Sequence, residues 1–221
     1  MTARKRMAIF DMDNTILAGR FIDVAARHLG FAQELEYVRK DVAAPVARTE
    51  NIARFLAGVG AGTIGEIADS IPVVPDFAEV VSQLRDDGYV CGIISDSYTC
   101  VATRINRLAK MDFVLANCLE FVDDKATGRV IVPSYFLQSA NSTCEHQICK
   151  CRAVEYIANV YAVKAENIIA VGDSENDICM LKSVGKSVAF CPTDAAVAKC
   201  ASFSIDKKSF RPILSFIKEE G

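Results

Sequence analysis

The sequence predicts an α/β fold: a doubly wound parallel sheet, with a small helical segment inserted after its first strand. Three observations predict it. Met7-Ala8-Ile9-Phe10, Tyr89-Val90-Cys91-Gly92-Ile93-Ile94 and Asn167-Ile168-Ile169-Ala170-Val171 are short apolar runs of strand length. Each ends in a polar cluster: Asp11-Met12-Asp13, Ser95-Asp96-Ser97, and Gly172-Asp173-Ser174-Glu175-Asn176-Asp177. A helix-period segment, Lys150 followed by Ala153, Val154, Ile157, Ala158 and Tyr161, lies between the last two runs. Parallel neighbours would bring all three polar ends to one edge of the sheet.

The first strand is the most informative element. An apolar strand that ends in charge delivers the charge to a rim, because a buried unpaired carboxylate is costly. In an open α/β sheet the rim beyond the strand carboxyl ends is where ligands bind. After it, residues 18–74 read as helices over 21–29, 33–42, 48–56 and 63–69, punctuated by Gly30, Pro45 and the group Gly58, Gly60 and Gly62. We read them as a helical cap that closes over the rim and excludes water. Residues 1–17 and 75–221 then form the core. It resumes near Pro75 with a helix over 76–85, followed by the Tyr89 strand and a helix over 98–108. A hairpin is expected over 113–132, turning through Asp123-Asp124-Lys125-Ala126-Thr127-Gly128. The last element is a docking helix over 207–217, interrupted early by Pro212.

Composition narrows the function classes. The 221 residues suit one core domain with a modest insertion. With 51% hydrophobic and 24% charged residues the chain reads as globular and soluble. A net charge of −3 argues against general nucleic-acid affinity. No apolar run reaches the length of a membrane span. The start, Met1-Thr2-Ala3-Arg4-Lys5-Arg6, is basic, but only four apolar residues separate it from Asp11, which is not a signal peptide. A cytoplasmic monomer or homodimer with a small-molecule substrate is the expectation. The nine cysteines are an odd number, and free thiols are the default. Cys144, His146, Cys149 and Cys151 cluster more tightly than zinc-finger spacings and bracket Lys150. Zinc or redox chemistry there is the lesser reading, beside chance accumulation.

Brought to one edge, Asp11, Asp13, Ser95, Lys150, Asp173 and Asp177 make four acids, a cation and a hydroxyl. Crowded carboxylates repel one another and call for a cation, and oxygen ligands favour a hard one such as Mg2+. Lys and Ser would hold oxyanions, which describes a phosphoryl-transfer site. Each piece has a plainer alternative. Asp173 or Ser95 could cap a helix, and Lys150 could be an ordinary solvated lysine. The complete set outweighs them.

Asp11-Met12-Asp13-Asn14-Thr15, Ser95 after a strand, Lys150 opening a helix and Gly172-Asp173-Ser174-Glu175-Asn176-Asp177 resemble the four signature motifs of the haloacid dehalogenase superfamily. The resemblance spans about residues 7 to 205 and implies a Rossmann-like core. The hairpin over 113–132 and the run Ser187-Val188-Ala189-Phe190-Cys191-Pro192 resemble its phosphoserine-phosphatase branch. By that resemblance Asp11 is the nucleophile that forms an aspartyl-phosphate, with its other oxygen on Mg2+. Asp13 protonates the leaving alkoxide, then activates water, and its carbonyl ligates the metal. Ser95 and Lys150 hold the phosphate, Asp173 ligates the metal, and Asp177 orients the metal's surroundings. An acid at position 13 separates the chain from the dehalogenases and P-type ATPases that share the scaffold.

The chain departs from that branch where substrate is read. The branch places a Glu nine residues after its nucleophile to hold an ammonium, and here that position is Arg20. The cap arginine has no clean match, with Arg48 and Arg54 nearby at shifted register. Asp96-Ser97 replaces a Gly-Gly pair. Arg20, Ser95, Asp96, Lys150 and Asn176 are therefore the expected substrate-binding residues, and the expected substrate is a small phosphorylated metabolite, favoured if it carries a second anionic group. Phosphoserine remains an alternative. So do phosphocholine and phosphoethanolamine, since Asp96 after the motif serine resembles those phosphatases. Transfer to a metabolite alcohol and a non-catalytic binding role are further readings.

Overall fold

The computed structural model describes residues 5–140, 142 and 144–218, so the basic start at 1–4 lies outside the described residues. In chain order, β1 (Arg6–Phe10) is followed by α1 (Phe21–Leu29), α2 (Ala32–Asp41), α3 (Pro45–Arg54), α4 (Ala61–Asp69) and α5 (Phe77–Asp86). Next come β2 (Tyr89–Tyr98), α6 (Thr99–Ala109), β3 (Phe113–Val122), β4 (Lys125–Ile131), α7 (Lys150–Tyr161) and β5 (Ile168–Gly172). The chain closes with α8 (Ile178–Lys182), β6 (Lys186–Phe190), α9 (Ala195–Cys200), β7 (Phe203–Ile205) and α10 (Arg211–Phe216). The strands form one sheet in the order β4-β3-β2-β1-β5-β6-β7. Every pairing is parallel except that of β3 with β4.

Alternation along β1 explains the layers. Ala8 and Phe10 face a core built with α1, α4, α5, α6 and α10, while Met7 and Ile9 face a second core with α7, α8 and α9. A strand covered on both faces reads as a continuous apolar run, and Met7 to Phe10 are all fully buried. On the first face Phe10 meets Phe77 and Phe210 edge-on at 5.4 and 5.7 Å, and Phe210 stacks on Phe190 at 4.3 Å. Gly92 in β2 is needed for close packing: a Cβ there would come within 2.2 Å of the Phe113 ring.

The inserted helices leave and rejoin the core through a narrow neck. Ala18 N–H donates to the Pro72 carbonyl at 2.8 Å, and Val74 N–H donates to that of Ile16 at 2.9 Å. Their far end is pinned to the β3–β4 hairpin: Gly58 N–H donates to Ala126 O, Ala126 N–H to Val59 O, and Ala61 N–H to Asp124 O. The hairpin turns on Asp123 and Asp124 alone, both at positive φ, so the turn is shorter than the six residues expected.

Other boundaries also differ from expectation. Helix α3 begins at Pro45, where the missing N–H costs nothing, not at 48. Strand β2 continues through Ser95-Asp96-Ser97 to Tyr98, with a register shift against β3 between Ile94 and Tyr98. At the C-terminus Pro212 does not interrupt a helix over 207–217. It stands in the first turn of α10, which starts only at Arg211. Its start is held from outside: the Asp76 carboxylate accepts from the N–H groups of Phe210 and Arg211 and from Ser209 Oγ. These bonds hold Asp76 below the usual carboxylate range although burial opposes them. No helix among the described residues is long and apolar enough to cross a membrane.

Candidate active site

Register puts the polar ends together. Phe10 pairs with Ile93 of β2 and with Val171 of β5, so Asp11, Ser95 and Asp173 all lie toward the carboxyl edge of the sheet on three adjacent strands. Asp11 N–H still donates to Val171 O at 2.9 Å, which fixes the residue to the strand end. The chain then makes a wide turn, closed by Leu17 N–H to Met12 O at 2.9 Å, with Asn14 at positive φ. The turn brings Asp13 back to the rim, where its Oδ1 accepts from Phe21 N–H at the first residue of α1, 3.0 Å away.

Lys150, the first residue of α7, is 4% exposed and donates to Asp11 Oδ1 at 2.5 Å and to Asp177 Oδ1 at 2.7 Å. The other oxygen of Asp177 accepts from the N–H groups of Asp173 and Ser174 at 3.1 Å and from Ser174 Oγ at 3.2 Å. Ser174 and Asp177 thus make a capping box, and Asp173 is not the cap. Gly172 makes room for this loop, because a Cβ there would lie 2.6 Å from Asp177 Cβ. Ser95 caps no helix either. It is fully buried in β2, and its Oγ accepts from Ser97 N–H at 3.1 Å. The solvated-lysine and helix-cap alternatives are thereby corrected by burial and by these partners.

The cluster carries an excess of negative charge. Asp11, Asp13, Asp173 and Asp177 are all buried, with Lys150 among them. Burial pushes Asp11 well above the usual carboxylate range, against the pull of Lys150, and the charges of Asp177 and Asp173 push the same way. Burial and Asp177 likewise raise Asp173. Lys150 is raised well above an ordinary lysine by Asp11 and Asp177, despite a burial penalty of opposite sign, and so stays charged. Oxygens of Asp11, Asp173 and Asp177 lie within 4.8 Å of one another. Asp173 Oδ2 is buried with no hydrogen-bond partner among the described residues, while Oδ1 accepts from Thr15 Oγ1 at 3.3 Å. An all-oxygen donor set with an orphaned buried acceptor fits a hard divalent cation.

A cavity of about 680 Å³ opens above the cluster, between the inserted helices and the sheet edge. The helices contribute Arg20, Arg39 and Arg48, and the edge contributes Asp13, Asp96, Lys150 and Asn176. Arg20 does not pair with Asp23, which is taken by Arg39 at 2.5 Å. It is half-buried and feels Asp96, Asp173 and Asp13, which raise it against the cost of burial. Arg48 donates to the carbonyls of Val42 and Ala43, with no carboxylate paired to it among the described residues. Arg54 instead packs where α3 meets Gly128. Asp96 is exposed and accepts from Asn176 Nδ2 at 2.9 Å, so two of the expected substrate-binding residues are joined.

Sequence reasoning missed Asn117, Thr15, Thr193 and Arg39. Asn117 is buried in β3 and lines the cavity, and its Nδ2 donates to the Asp96 carbonyl at 2.6 Å. A lone Asn in an apolar strand was its only signal. Thr193 donates through N–H and Oγ1 to the Asp173 carbonyl at 2.9 and 3.1 Å, fixing the loop after β5.

Comparison with known proteins agrees with this geometry. The family model for haloacid dehalogenase-like hydrolases matches residues 8–182. The chain is 27% identical to a phosphoserine phosphatase of Methanocaldococcus jannaschii, over 99% of this chain and all of the relative. It is 30% identical to the phosphoserine phosphatase SerB2 of Mycobacterium tuberculosis over 84% of this chain, but spans only 44% of that longer protein. Among solved structures, a phospho-aspartyl intermediate analogue of phosphoserine phosphatase superposes with a TM-score of 0.82 at 26% identity. It covers 97% of this chain and all of its own.

Proposed function

We propose that this chain, which belongs to the haloacid dehalogenase-like hydrolase family, is a Mg2+-dependent phosphatase acting on a small phosphorylated metabolite through an aspartyl-phosphate. It is a phosphoric monoester hydrolase, in keeping with the phosphoserine phosphatases it is similar to. The observation that carries the mechanism is the buried contact of Lys150 with Asp11 at 2.5 Å beneath a cavity lined by Asp13. Asp11, Asp173 and the Asp13 carbonyl would hold the metal, with Asp177 orienting its surroundings. The bound metal would neutralise charge on the phosphoryl oxygens.

The chain's own residues do the rest. Lys150 holds the Asp11 carboxylate in place, so that its free oxygen attacks phosphorus while the P–O bond to the leaving alkoxide breaks. Ser95, whose oxygen already accepts from Ser97, has its hydroxyl proton left to donate to a phosphoryl oxygen. Asp13 gives its proton to the leaving oxygen, then takes one from the water that attacks the aspartyl-phosphate. The inserted helices, residues 18–74, act as a cap over the site and exclude water from the first step. With no membrane-spanning helix among the described residues, a cytoplasmic location fits this substrate class.

Burial pushes Asp13 up to about 7, with Asp96 adding to the rise and the Phe21 N–H opposing it. Both of its forms are then available near neutral pH. Its acid form serves the first half-reaction, so formation of the phosphoenzyme should fall as pH rises through 7. Its base form serves the second, so phosphoenzyme hydrolysis should fall as pH drops below 7. Single-turnover rates of the two steps across that range test the assignment, and Asp13→Asn should remove both limbs. Two steps with the same pH dependence would refute it.

Substrate choice follows from charge placement. Arg20 and Arg48 offer cations on one side of the cavity, and Asp96 offers an anion on the other. A phosphorylated amino acid would satisfy both, its carboxylate on the arginines and its ammonium on Asp96. Phosphoserine is thus the first candidate, in agreement with the relatives' names. Phosphate release in Mg2+ from phosphoserine, phosphocholine, phosphorylated acids and sugars tests this reading. We expect phosphoserine to lead, and Arg20→Glu to cut its kcat/KM by about 10–100-fold, the worth of a charged hydrogen bond. A ranking of cationic and anionic phosphates that Arg20→Glu leaves unchanged would sink the substrate assignment.

A further inference from the structure

Beside the acid cluster lies a second group of donors that phosphoryl transfer does not use. The sequence clusters Cys144, His146, Cys149 and Cys151, with zinc as the lesser reading. The fold corrects it: Cys179, from α8, joins Cys144, His146 and Cys149 so that one ligand atom from each lies within 4.8 Å of the others. Cys179 Sγ is 3.4 Å from His146 Nδ1. A tetrahedral zinc with Zn–S of about 2.3 Å and Zn–N of about 2.0 Å needs S···N of about 3.5 Å. Cys151 stands behind this group, with Sγ 3.2 Å from Cys149 and 3.4 Å from Cys144.

The backbone around these donors is preorganised. Arg152 is buried, and its guanidinium donates to the carbonyls of Phe136, His146 and Gln147 at 2.8, 2.6 and 3.1 Å. The same guanidinium reaches Cys144 Sγ at 3.1 Å. It therefore shapes the 144–147 loop around its own charge and fixes the position of the Cys144 sulfur. Three soft thiols and an imidazole are a donor set for zinc, whereas the all-oxygen cluster nearby suits a hard cation.

We propose that Cys144, His146, Cys149 and Cys179 form a tetrahedral zinc site that clips the 144–149 loop to α8. The site has a consequence for the acid cluster. Cys149 directly precedes Lys150, and Cys179 follows Asp177 by two residues, so the clip joins the two segments whose side chains meet at 2.7 Å. Zinc there would steady the Lys150–Asp177 pair from outside, without touching substrate.

The test uses purified, reduced protein in excess Mg2+, which occupies the oxygen cluster. One equivalent of Zn2+ or Co2+ should bind. The Co2+ form should show thiolate-to-cobalt charge transfer and the d–d bands of a tetrahedral centre, and Zn2+ should raise the Tm. Cys144→Ser and Cys179→Ser should each abolish the charge-transfer change at that site. Should either fail to fold, His146→Ala settles the matter, because His146 is exposed and its loss should weaken zinc by more than about 10-fold. Reduced protein that takes up no Co2+ with thiolate absorption would overturn the proposal. So would uptake that these three variants leave unchanged. A Cys149–Cys151 disulfide as the isolated state, with no metal uptake after reduction, would equally overturn it.

Discussion

Asp11→Asn should reduce phosphate release by on the order of 10⁴-fold or more, while the protein stays folded. The size of the loss follows from what the substitution removes. Asn keeps the shape of the side chain and an oxygen for the Lys150 ammonium now 2.5 Å away. It cannot supply a carboxylate to attack phosphorus, so the covalent route closes. Stability should hold or rise without metal, since burial and the neighbouring acids already oppose ionisation of Asp11. Thermal unfolding beside the phosphate assay separates the two effects. A folded variant with activity within about tenfold of wild type would place the nucleophile elsewhere.

Much of this centre is legible in the sequence, for a definite reason. Asp11, Ser95 and Asp173 each follow an apolar run, and a parallel sheet converts that local pattern into a shared edge with no long-range information. Lys150 is legible from the helix it opens. What escapes is anything held by contacts between distant segments. Cys179 is 30 residues from Cys149, and only the packing of α7 and α8 on one face of the sheet brings them together. Asn117 looks like an interruption in a strand until β3 is seen to pass beside the Asp96 carbonyl. The start of α10 is set by Asp76, which its own stretch of sequence gives no reason to invoke. The reach of β2 through Ser95 is similar: an apolar run marks where apolar side chains stop, not where burial or backbone pairing stops.

Lys150→Met should destabilise the protein by about 3–5 kcal/mol at pH 8 without Mg2+, because it removes one partner from a buried set of charges. Met keeps most of the aliphatic stem, so packing is nearly conserved. What disappears is the cation between Asp11 and Asp177, both almost fully buried. The sign with pH is fixed by the two kinds of group. In the wild type the folded pKa of Lys150 is raised, so its contribution is present below the ordinary lysine value and is lost only as pH rises through the folded one. It is therefore intact at both pH 5 and pH 8. In the variant Asp11, already raised by burial, rises further for want of its cation, and its ionisation becomes a larger cost of folding. That cost applies above the folded pKa and is relieved as pH falls through it, while the unfolded carboxyl stays ionised down to about 3.9. The gap between variant and wild type should therefore shrink from pH 8 to pH 5, as read by urea unfolding in a chelator. Mg2+ at pH 8 should narrow it as well, by restoring positive charge to the same oxygens. A loss that is equal at the two pH values and indifferent to Mg2+ would mean that Lys150 acts here through packing, and that the acids beneath the cavity do not depend on its charge.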